Sequence, residues 1–207
     1  MYDLLMAETV LGYFLRILPV TLLTGIVYGV IRYVYIRKKK IKTVWKTEAV
    51  RVIFVLYITG LVNLILLPTG LWSGFWYYIL TGNSDYGYEQ LFILNYNLVP
   101  VFFRWITGEL TPGSWTATML AVNILMFVPL GFLLPFVFKK IKGWAIVLLA
   151  VAIPLSVELF QPIVARSFDT DDIITNFIGI VLGYILAVLF KLAAKVIRGK
   201  RKNNEEL

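Results

Sequence analysis

The chain contains no cysteine and no histidine. That excludes disulfide frameworks, thiol nucleophiles, imidazole acid–base catalysis and the usual zinc ligand sets. Any chemistry has to run on carboxylates, arginine, lysine, amides or hydroxyls. Charge is scarce as well. Only 15% of the 207 residues are Asp, Glu, Lys or Arg, against 59% hydrophobic residues and a mean hydropathy of +0.80. A soluble domain of this length cannot hide so much apolar surface, so the exterior is expected to face lipid. No metal site and no cofactor are expected.

What is present is a series of apolar runs close to the ~20 residues a membrane-crossing helix requires. They are Leu11–Ile36, Ala49–Leu67, Ala117–Phe138, Gly143–Phe160 and Ile173–Phe190. The expected fold class is an all-α integral membrane protein of about five transmembrane helices. It forms a single membrane domain over residues 1–207 that ends in a disordered basic tail, 198–207. The first run reads as an uncleaved helix and not as a signal peptide: no basic region precedes it, Asp3 and Glu8 stand before it, and no small-residue cleavage site follows.

The net charge of +8 is unevenly distributed. Arg37 to Lys40, Lys42 and Lys46 fill the first loop. Lys139, Lys140 and Lys142 fill the link between the third and fourth runs, and Lys191, Lys195, Arg198, Lys200, Arg201 and Lys202 close the last. With five spans and the N-terminus outside, all three clusters fall on the cytoplasmic side, with the C-terminus. Of the 20 basic residues, only Arg16, Arg104 and Arg166 lie on the other side. Of the 12 acids, only Glu48, Glu205 and Glu206 share the basic side. The positive charge is thus a topology signal that favours anionic membrane lipids as partners, and nucleic acid has no place in the account.

The long loop Pro68–Thr116, expected outside, is rich in aromatics such as Trp72, Trp76, Tyr78, Tyr88, Tyr96, Phe103, Trp105 and Trp115. Such side chains favour the head-group region, so the loop is expected to lie on or dip into the outer interface, with Leu91–Val101, too short and too polar to span, as a cap or re-entrant segment.

Polar groups inside hydrocarbon are costly and call for a partner or a purpose. Asn123 lies two turns into the third run, followed by Pro129 and Gly131. Glu158 and Gln161 share a face near the end of the fourth. Asp172 opens the fifth and Asn176 follows one turn later, with Gly179 and Gly183 continuing that face as a stripe that admits a close helix. Pro129, Gly131, Gly179 and Gly183 are read as structural. Arg16 sits near the start of the first run. These polar residues are expected at one depth in the outer leaflet, able to line one cavity. A plainer reading stands beside it: Asp169 or Thr170 caps the last helix, and Asn123 and Asn176 bond neighbouring helices.

At these residues the chain resembles the VanZ-like family of teicoplanin and glycopeptide resistance accessory proteins. The resemblance lies in Asn123 through Pro135, Glu158 through Gln161, Arg166 through Asn176, Gly179 to Tyr184 and Asn97-Leu-Val-Pro100, where Val101 replaces the family's Phe. It implies a multi-pass protein of the bacterial cytoplasmic membrane with a role in antibiotic resistance in some members. The ligand-binding candidates are Asn97, Asn123, Glu158, Gln161, Arg166, Asp169, Asp172, Asn176 and Arg16.

Two function classes remain open. One is an outer-leaflet binding protein for a lipoglycopeptide or a lipid-linked cell-wall precursor. The alternative is a membrane-embedded enzyme acting on a lipid-linked envelope substrate, with Glu158, Asp169 and Asp172 as catalytic candidates. No nucleophile motif is present, so the reading leans away from an enzyme. A homodimer through Gly25 and Gly29 or through Gly179 and Gly183 is a further option.

Overall fold

A computed structural model describes residues 9–83, 95–109, 114–164 and 166–205. Five of its helices are long and apolar enough to cross a membrane: Leu11–Lys39, Trp45–Ile65, Ala117–Val137, Gly143–Val164 and Thr170–Gly199. They coincide with the five runs of the sequence, and the protein is an all-α membrane protein.

Helix α1 (Val10–Lys39) is capped by Thr9, whose hydroxyl accepts the Gly12 N–H at 3.1 Å. It outlasts the apolar run by a turn, because Arg37, Lys38 and Lys39 suit the negative end of a helix. Lys40 then turns the chain in the left-handed region, at φ 49°. Helix α2 (Trp45–Ile65) follows. The long aromatic loop is in part helical: α3 (Thr69–Thr81) begins after Pro68 and stops at Gly82, where φ is 72°. Residues 84–94 lie outside the described residues, and with them Leu91 to Leu94 of the expected cap or re-entrant segment. Beyond them come a two-residue strand β1 (Tyr96–Asn97) and a short helix α4 (Val101–Ile106).

Helices α5 (Ser114–Val137) and α6 (Gly143–Phe160) run through their internal prolines. A 3-10 turn (Gln161–Val164) and strand β2 (Phe168–Asp169) lead to α7 (Thr170–Glu205). Helix α7 extends to Glu205. Lys and Arg are good helix formers, and here they sit toward the end of the helix where positive charge is favoured.

The chain forms two compact units: Met1–Thr111 with Leu155–Asp171, and Pro112–Pro154 with Asp172–Leu207. In the first, α1 packs on α2. A Cβ on Gly25 would meet Leu56 Cδ2 at 2.4 Å, while nothing lies within 4 Å of one on Gly29. Ile17, Leu61 and Ile65 are buried in this unit. At the far ends of the pair, Glu48 accepts from Arg32 at 2.8 Å and from Arg51.

In the second unit, α5 and α7 meet backbone to backbone. A Cβ on Gly131 would stand 1.9 Å from the Ile180 carbonyl oxygen. One on Gly179 would stand 2.4 Å from that of Ile124, and one on Gly183 2.0 Å from that of Val128. Phe127, Leu130 and Ile180 fill the seam. Gly179 and Gly183 pack on α5 of the same chain, and Gly131 of α5 packs on α7. The Gly179 and Gly183 face is occupied internally and is not open to a second copy.

Candidate functional site

The first unit contains a polar hub built on Glu158, near the end of α6 and 0% exposed. A carboxylate at such a place needs hydrogen bonds to offset lost hydration. Its Oε2 accepts the Asp169 N–H at 2.8 Å. Gln161, three residues on, donates its amide to both Glu158 oxygens, at 3.0 and 2.9 Å. The weaker 3.4 Å contact from Gln161 to the Ile65 carbonyl belongs to the opposite amide orientation.

Asp169 is the next link. Its Oδ1 accepts the Asp171 N–H at 2.9 Å, which caps α7, and its Oδ2 accepts the Asn97 side-chain amide at 3.1 Å. Asn97 belongs to β1, which pairs in parallel with β2 so that Asn97 stands opposite Asp169 and Tyr96 opposite Phe168. The Thr170 hydroxyl closes this pairing on the Asn97 carbonyl at 3.1 Å. Asp171, itself buried, takes the Val101 N–H on both oxygens, at 3.0 and 2.9 Å, and so holds the start of α4. All three carboxylates of the hub accept backbone N–H groups at chain turns and helix starts.

The arginines lie on a different feature. Arg166 follows the 3-10 turn, with its N–H on the Gln161 carbonyl at 3.0 Å. Its Nη2 donates to the Leu64 carbonyl at 2.8 Å. Leu64 is in the last turn of α2, where carbonyls lack helical partners and a cation is favoured. Arg16, only 3% exposed, donates Nε to the Gly12 carbonyl at 3.3 Å and Nη1 to the Ser73 hydroxyl of α3. Its guanidinium lies over the Tyr13 ring, 4.4 Å from the centroid. Trp76 of α3 donates its indole N–H to the Arg16 carbonyl at 2.9 Å. Arg16 and Arg166 both line one small, partly open concavity. Tyr13, Trp72 and Asn63 share its wall, with Ile17, Leu64 and Leu67 as the apolar part.

The second unit holds the other predicted residues. Asn123 of α5 donates its side-chain amide to Asp172 of α7. Thr175 donates its hydroxyl to the Asp172 carbonyl at 3.4 Å. Asn176 is buried, and its Oδ1 has no partner among the described residues. This matches the plainer reading of Asn123, a hydrogen bond between neighbouring helices.

The structure therefore sorts the sequence candidates. Asn97, Glu158, Gln161 and Asp169 join one hydrogen-bonded hub, Arg16 and Arg166 share the concavity, and Asn123 with Asp172 forms a pair in the second unit. Sequence reasoning missed Asp171 as the holder of α4, and missed Ser73, Trp72 and Asn63. Ser73 and Asn63 carry a usable signal, being polar residues within otherwise apolar helices. Trp72 was visible only as one aromatic among many. Among the described residues, no three His, Cys, Asp or Glu side chains cluster as metal ligands.

Comparison with known proteins bears on the same stretch. Residues 54–191 match the model of the VanZ/LLP1 family. Protein VanZ of Enterococcus faecium is 31% identical over 115 residues, covering 54% of this chain and 70% of that protein. No solved structure matches. The matched segment includes the whole Glu158 hub and Arg166, and excludes Arg16.

Proposed function

This chain belongs to the VanZ/LLP1 family, and we propose that it binds an amphiphile of the outer leaflet, either a lipid-linked cell-wall precursor or a lipidated glycopeptide. It is a multi-pass protein of the bacterial cytoplasmic membrane. The observation that carries the proposal is the concavity that brings Arg16 and Arg166 together from opposite parts of the chain. Arg16 lies near the start of the first span, Asn63 and Leu64 at the end of the second, and Arg166 just beyond the fourth. In a chain that alternates sides, these positions fall at one membrane face. The charge distribution assigns that face to the outside, away from the lysine-rich loops.

Several features support binding over catalysis. Glu158 and Asp169 accept backbone N–H groups that set the course of the chain between α6 and α7, a positioning task. The concavity combines cations with a Trp and a Tyr, a lining suited to an amphiphile at the head-group level. Teicoplanin carries an acyl tail and meets its target beside the membrane, so a protein that engages either molecule at this depth would alter drug access.

The test is protection of a susceptible bacterium against teicoplanin by the wild-type chain and by Arg166→Ala and Glu158→Gln, each checked for membrane expression. Both substitutions are expected to abolish any protection the wild type gives. Full protection by both well-expressed variants would sink the proposal.

A further inference from the structure

We propose that helix α3 is a membrane-docking surface. Its face of Leu71, Phe75, Tyr78 and Ile79 is seated among the glycerol and acyl groups of the lipid leaflet remote from the lysine-rich loops. The inference rests on the chain being a membrane protein and not on the ligand proposed above.

The sequence around α3 is the first argument. From Val52 to Ser84 there is no charged residue. Helix α2 ends at Ile65 and α3 begins at Thr69, so α3 starts at the membrane face where the second span finishes. Its 13 residues measure about 20 Å against ~30 Å of hydrocarbon, too little to cross. A helix bonds most of its own backbone polar groups, as a segment in contact with lipid must.

Depth is the second. On the α1 and α2 pair, Arg32, Glu48 and Arg51 mark the edge of the hydrocarbon on the basic side, because three charged groups are costly any deeper. From Arg32 to Arg16 along α1 the rise is about 24 Å, less than the ~30 Å of hydrocarbon, and any tilt of α1 reduces it. Arg16 is where α3 is fastened. It donates to the Ser73 hydroxyl, and Trp76 donates its indole N–H to the Arg16 carbonyl at 2.9 Å. Helix α3 is therefore held level with the edge of the hydrocarbon and not above it in water.

The third argument is what α3 presents. Ser73 and Trp76 serve the side turned to α1, and Ser73 is buried. Leu71, Phe75, Tyr78 and Ile79 follow at i, i+4, i+7 and i+8, one face of a helix, and are between 44% and 55% exposed. Phe75 meets both tryptophans edge to face, with centroids 5.8 Å from Trp72 and 5.5 Å from Trp76, so rigid rings back this face. Helix α1 exposes Leu11, Phe14 and Leu18 on either side of Arg16, and such side chains on a membrane span belong to lipid. The α3 face continues that lipid surface. It has no charge with which to hold an acidic or basic partner, and a tyrosine on it suits the head-group boundary.

Because the chain has no cysteine, single-cysteine variants of the full-length protein each carry one nitroxide label. They are placed in vesicles of phosphatidylcholine and phosphatidylglycerol. Relaxation by oxygen, which concentrates in lipid, is compared with relaxation by a water-soluble nickel chelate. Phe14→Cys on α1 sets the lipid limit and Lys42→Cys in the basic loop the water limit. In Phe75→Cys and Ile79→Cys oxygen is expected to dominate, at a depth of about 5–10 Å below the phosphates. A melting temperature equal to that of the wild type qualifies each variant, and Leu71→Cys replaces Phe75→Cys where loss of the ring disturbs the cluster.

Labels at Phe75 and Ile79 that the nickel chelate reaches as freely as the label at Lys42 place this face in water and overturn the proposal. Labels that neither reagent reaches show a face covered by protein, a second copy or another partner, and overturn it as well. The depth of α3 and drug protection in cells are separate readouts, so failure of one leaves the other standing.

Discussion

Between α5 and α7, three glycines let backbone meet backbone so closely that any Cβ there would fall within 2.4 Å of a carbonyl oxygen. In the other unit, α1, α2, α3 and the segment before α7 are tied by arginine, carboxylate and amide side chains. Both are solutions to packing helices in lipid, where apolar side chains gain little by leaving one hydrocarbon surface for another. The glycine seam relies on close van der Waals contact and leaves no room for a ligand. The polar ties hold elements at a distance set by side-chain length, and a concavity lies among them. The contrast explains why the candidate site belongs to the unit that is held by arginines.

The sharpest way to break this contrast is to add atoms to the seam. Gly131→Val and Gly183→Leu each place a side chain onto a backbone carbonyl that cannot step aside. Each is expected to cost at least about 3 kcal/mol, seen as aggregation or a large fall in melting temperature in mild detergent. A native melting curve for both would show that the seam is looser than described.

Next in size is Glu158→Ala, which leaves the half-buried Asp169 N–H and the buried Gln161 amide without an acceptor. About 1–3 kcal/mol should be lost, together with faster hydrogen exchange at the Asp169 amide. Unchanged exchange there would remove Glu158 from its positioning role.

A smaller effect, about 1 kcal/mol, is expected for Glu48→Ala at the far ends of α1 and α2. Arg32 retains 23% of its side-chain exposure and can turn to water, so a loss comparable with that of Glu158→Ala would contradict this account. Smallest is Gly60→Ala. Nothing lies within 4 Å of its added Cβ, so a gain of up to about 1 kcal/mol from helix propensity is expected, the opposite sign to the seam glycines. Destabilisation at Gly60 would mean that its face is covered in the membrane.

The five spans were legible because hydropathy over ~20 residues is a local property that no tertiary contact has to supply. A cap of α7 at Asp169 or Thr170 was legible for the same reason, since capping is decided within three residues, and the structure gives Asp169 that bond. The loop Pro68–Thr116 was less so. Its aromatics pointed to an interface, yet Trp76 and Ser73 turn out to engage Arg16 on α1. Asp171 holds Val101 across 70 residues of sequence, a pairing that no local pattern supplies.

The sequence by itself determined that this protein lives in a membrane, how many times it crosses, and which residues are too polar to lie there without a reason. Each of these follows from the free energy of transferring a short segment from water to lipid, a quantity that is nearly additive along the chain. Only the tertiary structure decided which of those residues meet. Asn123 was placed with Glu158 by depth, yet its partner is Asp172. Arg16 and Arg166, remote in sequence, face one concavity. Depth is set by position within a span. Adjacency is set by the direction in which each side chain leaves its helix and by which helices pack together, and neither is encoded in hydropathy.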